Sequence, residues 1–374
     1  MTIGVLKEPG KETRASLLPE HVVILKKQHV DVMIENNAGV NAFAADAQYQ
    51  TAGATVGSRN EVLQTADIIL SISALSNEDI AACKAKILFG FYQPLFNAQQ
   101  TKLLADKNFT VFSIDMLPRT TRAQSMDVLS SQANIAGYKA VLLAANLFPK
   151  YFPMFMTAAG SIPPAKMLIL GAGVAGLQAI ATAKRLGAVV EVFDTRPQVK
   201  EEVMSLGAKF VEVEGAADAA GAGGYAVEQS AEFMARQKAR IAESVAKSDI
   251  IITTAAIPGK TAPVLITADM IDVMKSGSII IDLAASTGGN TAYTKNDETV
   301  MVNGVSIVGN SALAAAMPSD ASKLYGKNIL NFLQLIINKE GAINLNFEDD
   351  LVKGTCVAHG GVVTNERVLS LLSV

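Results

Sequence analysis

The alternation of short β-branched runs with longer helical patterns constrains this chain more than any other feature. From the N-terminus, "TIGVL", "VDVMIE", "ADIILSI", "KILFGFY" and "FTVFSID" read as buried strands, with "PEHVVILKKQ" and "AQQTKLLADK" as helices between them. Strands spaced by helices predict right-handed βαβ units and a parallel sheet. A second series follows: "KMLILGAGVAGLQAIATAKRLG", "AVVEVFD", "AKFVEV", "SDIIITTA", "GSIIIDLA" and "VSIVG". About six strands make a complete dinucleotide-binding sheet. The prediction is an α/β protein with two Rossmann-like, doubly wound parallel-sheet domains.

The helical pattern from Ile135 to Phe148 is expected to carry the chain out of the first domain. The amphipathic pattern from Ala321 to Asn338 would cross back, so that the strand-like pieces "AINLNF" and "LVKGTCVA" complete it. The expected domains are therefore 1–135 with 325–374, and 136–324 inserted between them. A chain of 374 residues accommodates two such domains, which directs attention to a cleft between them. The segment from Glu214 to Gln229 is too long and glycine-rich for an ordinary connection and is expected to be a disordered excursion or a mobile lid.

A net charge of −3 and a pI near 5.8 offer no basic field for nucleic acid. Cys83 and Cys356 stand far apart with no metal-ligand spacing, so buried free thiols in a reducing compartment are expected. The positive mean hydropathy is spread over many short elements, and no window approaches the ~18 to 20 apolar residues of a spanning helix. The start "MTIGVLKEPGKETR" lacks the apolar core of a signal peptide. His21, His29 and His359 read as solvated surface histidines.

Gly171, Gly173 and Gly176 form GxGxxG directly after one strand and directly before a helix. In that context the first glycine permits a tight turn and the second lets backbone approach a pyrophosphate. The third lets helix pack on strand, with Val174 and Ala175 at the helix N-terminus facing the negative charge. Asp194 ends the next strand, where a carboxylate accepts hydrogen bonds from ribose hydroxyls and repels a 2′-phosphate. NAD(H) is thus expected over NADP(H). Thr195 follows, then Arg196, which could compensate the acid's charge but is expected instead as a solvated stem over the adenine.

The stretch "LPRTTRAQSMDVLSS", from Leu117 to Ser131, concentrates hydrogen-bonding groups in an otherwise apolar chain. Helix capping, with Thr121 or Ser125 as N-cap and Asp127 on the dipole, explains one or two of them. It leaves Arg119, Arg122 and Gln124 without a role.

With "GVLKEPGKETRASLLPE", "MTAAGSIPPAK", "FDTRPQVKEEV", "TTAAIPGKTAPVLIT" and "IIDLAASTGGN", these segments resemble the NAD(H)-binding component of proton-translocating transhydrogenase, in the superfamily of alanine dehydrogenase. The resemblance implies that Arg119, Thr120, Thr121 and Arg122 contact nucleotide. It further implies that Arg119, Gln124, Asp127 and Ser130 reach across the cleft to the nicotinamide end, and that Tyr225, after Gly224, closes over the bound molecule. The lysine, histidine and aspartate used by the dehydrogenases for proton handling have no counterparts: "ADIILSISALSN" holds no lysine, Gln93 stands near the histidine position and Ser286 at that of the aspartate. Arg14 alone matches, and an arginine does no acid–base work near neutral pH.

A dressed nicotinamide end without an acid–base pair suits direct hydride transfer between two nicotinamides. The implied partners are an NADP(H)-binding component, a membrane domain coupling transfer to proton movement, and a second copy of the chain, with "GSIIIDLA" offered as a dimer surface. The implied location is cytoplasmic, peripheral at the inner membrane through those partners, or the matrix side if organellar. An amino-acid dehydrogenase and a non-catalytic NADH-binding module are the alternatives.

Overall fold

The computed structural model describes residues 1–213 and 230–372. The expected lid, with Gly224 and Tyr225, lies outside them. In chain order the strands are β1 Thr2–Val5, β2 Asp31–Glu35, β3 Thr55–Gly57, β4 Ile68–Ser71, β5 Ile87–Gly90, β6 Thr110–Ser113, β7 Phe155–Thr157, β8 Gly160–Ile162, β9 Lys166–Leu170, β10 Val189–Phe193, β11 Lys209–Phe210, β12 Ile250–Thr253, β13 Ile279–Asp282, β14 Thr299–Val302, β15 Val305–Val308, β16 Cys356–His359 and β17 Val362–Val363. The chain divides into Met1–Gln132 with Ala315–Val374, and Ala133–Ala314.

The sheet of the first unit runs β17-β16-β6-β5-β4-β1-β2-β3. Its β1 to β6 are parallel, and β16 joins β6 antiparallel. Strands β4, β5 and β6 are buried at every position, as a sheet covered on both faces requires. Alternate side chains divide between the faces. Ile68, Leu70 and Phe89 join one core, with Leu25 of the helix Pro19–Lys27 and Phe332 of the helix Pro318–Ile336. Ile69, Leu88 and Val111 join the other, with Leu104 and Val368. The rings of Phe89 and Phe112 lie 5.1 and 5.7 Å from that of Phe332, and truncating one of these buried rings to alanine costs about 3–5 kcal/mol.

The second unit's sheet runs β11-β10-β9-β12-β13-β15-β14. Counting parallel strands, each unit has the order 3-2-1-4-5-6, in which winding reverses beside the first strand. That reversal leaves a crevice at the carboxyl ends of β1 and β4 in one unit and of β9 and β12 in the other.

The structure differs from the expectations at several points. The chain re-enters the first unit at Ala315, before the helix Pro318–Ile336 instead of within it, because that helix buries Ala321, Tyr325, Ile329 and Phe332 in the first unit's core. "AINLNF" contributes only an isolated Ile337–Ile343 bridge, and residues Asp350–Thr355 form a helix before β16 begins. Strands β3, β7, β8, β14 and β17 add to the expected set. The turn from β14 to β15 is Asn303-Gly304 with φ of 50° and 79°, the left-handed pair a two-residue hairpin demands. His21 is 2% exposed, its Nδ1 accepting the Leu18 N–H at 2.9 Å, and burial lowers its pKa to about 4, so it is not a surface residue. His359 instead hydrogen-bonds Thr110 at 2.9 Å and packs on Phe347. Cys356 is buried, whereas Cys83 is half-buried. "GSIIIDLA" cannot form a dimer surface, because β13 is fully buried between β12 and β15.

Candidate functional site

In the second unit the three glycines follow β9 at the reversal point and open the helix Val174–Arg185. Gly171 has φ +106°, which L side chains rarely adopt, and a Cβ there would stand 2.3 Å from Thr254 Oγ1. A Cβ at Gly176 would lie 1.9 Å from the Gly171 carbonyl oxygen, so helix and loop can approach only without it. A Cβ at Gly173 would meet no described residue within 4 Å. The first and third glycines are therefore required by the protein itself, whereas at the second no described residue stands in the way of a side chain. Gly173 is also the helix N-cap and has no side chain to satisfy the first turn, whose N–H groups at Val174 and Ala175 lack intrahelical partners. These donors suit a phosphate anion.

Asp194 lies at the end of β10, its side chain 5% exposed. Its Oδ2 accepts the Ala172 N–H at 2.7 Å, tying the acid to the glycine loop. Arg196 is not a solvated stem. Its Nε and Nη2 donate to Asp194 Oδ1 and Oδ2 at 2.9 and 2.7 Å, and the acid raises the guanidinium pKa further above its ordinary value. Thr195 stands half-buried between them.

Sequence reasoning missed the scaffold behind this loop. Thr254 donates through Oγ1 to the carbonyls of Leu170 and Gly171 at 3.3 and 3.2 Å. Asn290 is fully buried and bridges the loop after β12, accepting from Ala255 N–H at 3.0 Å and donating to the Ala255 and Pro263 carbonyls at 2.8 and 2.9 Å. Asp282, fully buried at the end of β13, accepts from the N–H of Ala284 and Asn290 and from Thr294 Oγ1. A polar residue closing an otherwise apolar strand in "GSIIIDLA" was the available signal. Gly137 of the helix Val128–Leu147 also matters, since its Cβ would lie 2.1 Å from the Ala175 carbonyl.

The polar stretch of the first unit forms a short 3-10 helix, Thr121–Met126, and then the first turns of Val128–Leu147. Ala123, Met126 and Val128 sink into the core, which leaves Arg119, Thr120, Thr121, Arg122, Gln124 and Ser125 exposed. The cap is Asp127, not Thr121 or Ser125: its Oδ1 accepts the Ser130 N–H at 2.9 Å and its Oδ2 the Ser130 hydroxyl at 2.6 Å. Ser125 instead offers its carbonyl to Asn328 and Asn331, both at 2.8 Å. Arg122 pairs with Asp349 at 2.6 Å and with Asp350, tying the loop to the helix Asp350–Thr355.

A carboxylate bridges the two strand ends at the first unit's reversal point. Glu8, 7% exposed, accepts the N–H groups of Ile72 and Ser73 at 2.6 and 2.9 Å, tying the chain after β1 to the chain after β4. Burial raises its pKa, and raises that of Asp115 in the short 3-10 turn Ile114–Met116 after β6. Arg14 donates twice to Glu12, at 2.8 and 2.6 Å, and once to Gln132 at 2.8 Å, so its charge is already matched.

Two family models cover almost the whole chain: Alanine dehydrogenase/PNT, N-terminal domain, over residues 4–136, and Alanine dehydrogenase/PNT, C-terminal domain, over residues 140–366. The chain belongs to the alanine dehydrogenase/PNT family. Within it, the chain is 44% identical over 365 residues to NAD(P) transhydrogenase subunit alpha of Haemophilus influenzae, covering 96% of this chain and 71% of that one. A solved structure of transhydrogenase from Sinorhizobium meliloti is 43% identical, with a TM-score of 0.88 over 97% of this chain and 100% of that one. Alanine dehydrogenase of Staphylococcus epidermidis is 27% identical over 98% of this chain and 96% of its own. The resemblance carried by the motifs therefore holds, and the chain stands nearer the transhydrogenase side of the alanine dehydrogenase/PNT family.

Gln93 and Ser286 are the residues expected at the dehydrogenases' histidine and aspartate positions. Gln93 is exposed with φ 50° and cannot act as a proton acceptor. Ser286 lies exposed in the short helix Ala285–Thr287. Among the described residues no group of three or more His, Cys, Asp or Glu could hold a metal, and no helix is long and apolar enough to cross a membrane.

Proposed function

We propose that this chain is the NAD(H)-binding component of a proton-translocating transhydrogenase, exchanging hydride directly with NADP(H) held on a partner component. The observation that carries the reading is the glycine loop. Among the described residues nothing crowds Gly173, which opens a helix whose first-turn N–H groups have no intrahelical partner, and Asp194 is tied to the same loop. When bound, the dinucleotide supplies the hydride. Gly171, Gly173, Val174, Ala175 and Gly176 hold its pyrophosphate, and Asp194, Thr195 and Arg196 meet the adenosine ribose.

Arg119, Thr120, Thr121, Arg122, Gln124, Asp127 and Ser130 hold the nicotinamide end, supported by the exposure of most of them on a loop pinned by Asn328, Asn331 and Asp349. A pinned loop can fix a ring within the fraction of an ångström that hydride transfer demands. The missing acid–base groups fit the reaction, since hydride exchange between two nicotinamides releases no proton at the ring. A membrane component couples the exchange to proton movement and brings the chain to the cytoplasmic face of an inner membrane, or to the matrix side in an organelle.

The chain acts as a homodimer in this reading. Tyr151, Met154, Phe155, Met156 and Ile162, on and beside the β7–β8 hairpin, are 52%, 62%, 43%, 72% and 38% exposed, an apolar patch that a second copy would cover. Sedimentation should show dimer at micromolar concentration and monomer for Met156→Asp. Fluorescence titration should give at least about tenfold tighter binding of NADH than NADPH, ~1.4 kcal/mol. Ammonia-dependent oxidation of NADH with pyruvate would contradict the proposal in favour of a dehydrogenase.

A further inference from the structure

Asp194 offers about four lone-pair positions on two oxygens. Protein donors fill all of them: Oδ1 accepts from the Arg196 N–H at 2.8 Å and Arg196 Nε at 2.9 Å, and Oδ2 from the Ala172 N–H and Arg196 Nη2, both at 2.7 Å. With the two side chains 5% and 18% exposed, little water reaches the pair. The backbone N–H groups are fixed by the glycine loop and the turn after β10. Of the four donors, only those of the guanidinium ride on a rotatable stem. A ribose diol can therefore reach Asp194 only by displacing the Arg196 fork.

We infer that Arg196 is a specificity-determining residue of this site: it occupies the ribose acceptors of Asp194 until nucleotide displaces it, and once displaced it places a positive charge beside the ribose 2′ position. The first effect holds down the affinity for NADH. The second softens the rejection of a 2′-phosphate, because a guanidinium one hydrogen bond from the ribose-binding acid is within reach of that group. The acid alone would discriminate more strongly than the pair does. The inference rests on the assignment of the glycine loop and Asp194 to NAD(H).

The test is titration of NADH and NADPH by fluorescence on the full chain and on Arg196→Met and Arg196→Lys, with a melting curve for each. In Arg196→Met, NADH should bind about threefold more tightly and NADPH about tenfold more weakly, ~1.4 kcal/mol. Arg196→Lys keeps the charge without the fork and should tighten NADH while retaining NADPH. A folded Arg196→Met with weakened NADH binding and an unchanged NADPH-to-NADH ratio overturns the inference. Should Arg196→Met fail to fold, NADH binding by Arg196→Lys that is no tighter than wild type overturns it equally. Absence of NADH binding in the unaltered chain would instead refute the site assignment, so the two failures are distinguishable.

Discussion

Alanine at Gly173 and alanine at Gly176 should produce opposite defects. At Gly173 the backbone angles of −79° and −169° suit alanine, and the added methyl meets no described atom within 4 Å. Losing glycine as N-cap costs about 0.5–1 kcal/mol, and restricting the unfolded chain returns about 0.4–1 kcal/mol. The net change is within about 0.5 kcal/mol, a shift of roughly 1–2 °C for a domain of this size. The same methyl occupies the approach to the pyrophosphate, so NADH affinity should fall at least about tenfold. At Gly176 a Cβ would lie 1.9 Å from the Gly171 oxygen, against the ~3.3 Å that carbon and oxygen tolerate. Helix and loop must part, costing about 1–3 kcal/mol and roughly 2–12 °C. Melting curves and NADH titrations on both variants decide the matter. A Gly173→Ala protein that binds NADH normally would refute the argument, as would one that melts as low as Gly176→Ala.

Asp127→Ala should lower stability by about 1 kcal/mol, as loss of a helix cap does, measured by chemical denaturation. Arg119→Ala and Gln124→Asn, on exposed loop positions, should slow hydride transfer about a hundredfold while changing NADH affinity far less; normal transfer rates would remove the loop from the reaction. For His21, burial depresses the folded-state pKa to about 4 from 6.5, so the unfolded chain takes up a proton first as pH falls. The stability it contributes is therefore whole above pH 6.5 and lost between 6.5 and about 4, by about 3 kcal/mol. His21→Gln, which can still accept the Leu18 N–H, should flatten that part of the stability–pH curve.

Two doubly wound sheets were legible because strands buried on both faces must read as unbroken apolar runs, as in "IIIT" and "IIID". Short or one-sided strands left weaker traces. Strand β3 is three residues long, and β14 is an edge strand with exposed Thr299 and Met301. The Asn303-Gly304 turn before β15 was nevertheless a readable hairpin signal. The glycine fingerprint was legible because its chemistry is local in sequence. The saturation of Asp194 by Arg196 was not, because side chains two residues apart could equally have pointed apart. Nor was the burial of His21, which depends on Gly326 in a helix far along the chain, where a Cβ would stand 2.4 Å from the imidazole ring. The pattern around Asp127 sets it on the helix dipole behind Thr121 or Ser125 as cap, the nearer of which stands two residues before the true one, because a 3-10 turn runs into the helix there.

The most direct test of the central claim is stopped-flow measurement of hydride transfer from NADH to an NADP⁺ analogue when this chain is mixed with an NADP(H)-binding transhydrogenase component. The account predicts rapid transfer that requires both proteins, needs no pyruvate or ammonia, and in Gly173→Ala demands at least about tenfold more NADH while Tm is preserved. NADH binding without transfer to the partner, or pyruvate-dependent NADH oxidation by this chain alone, would contradict it.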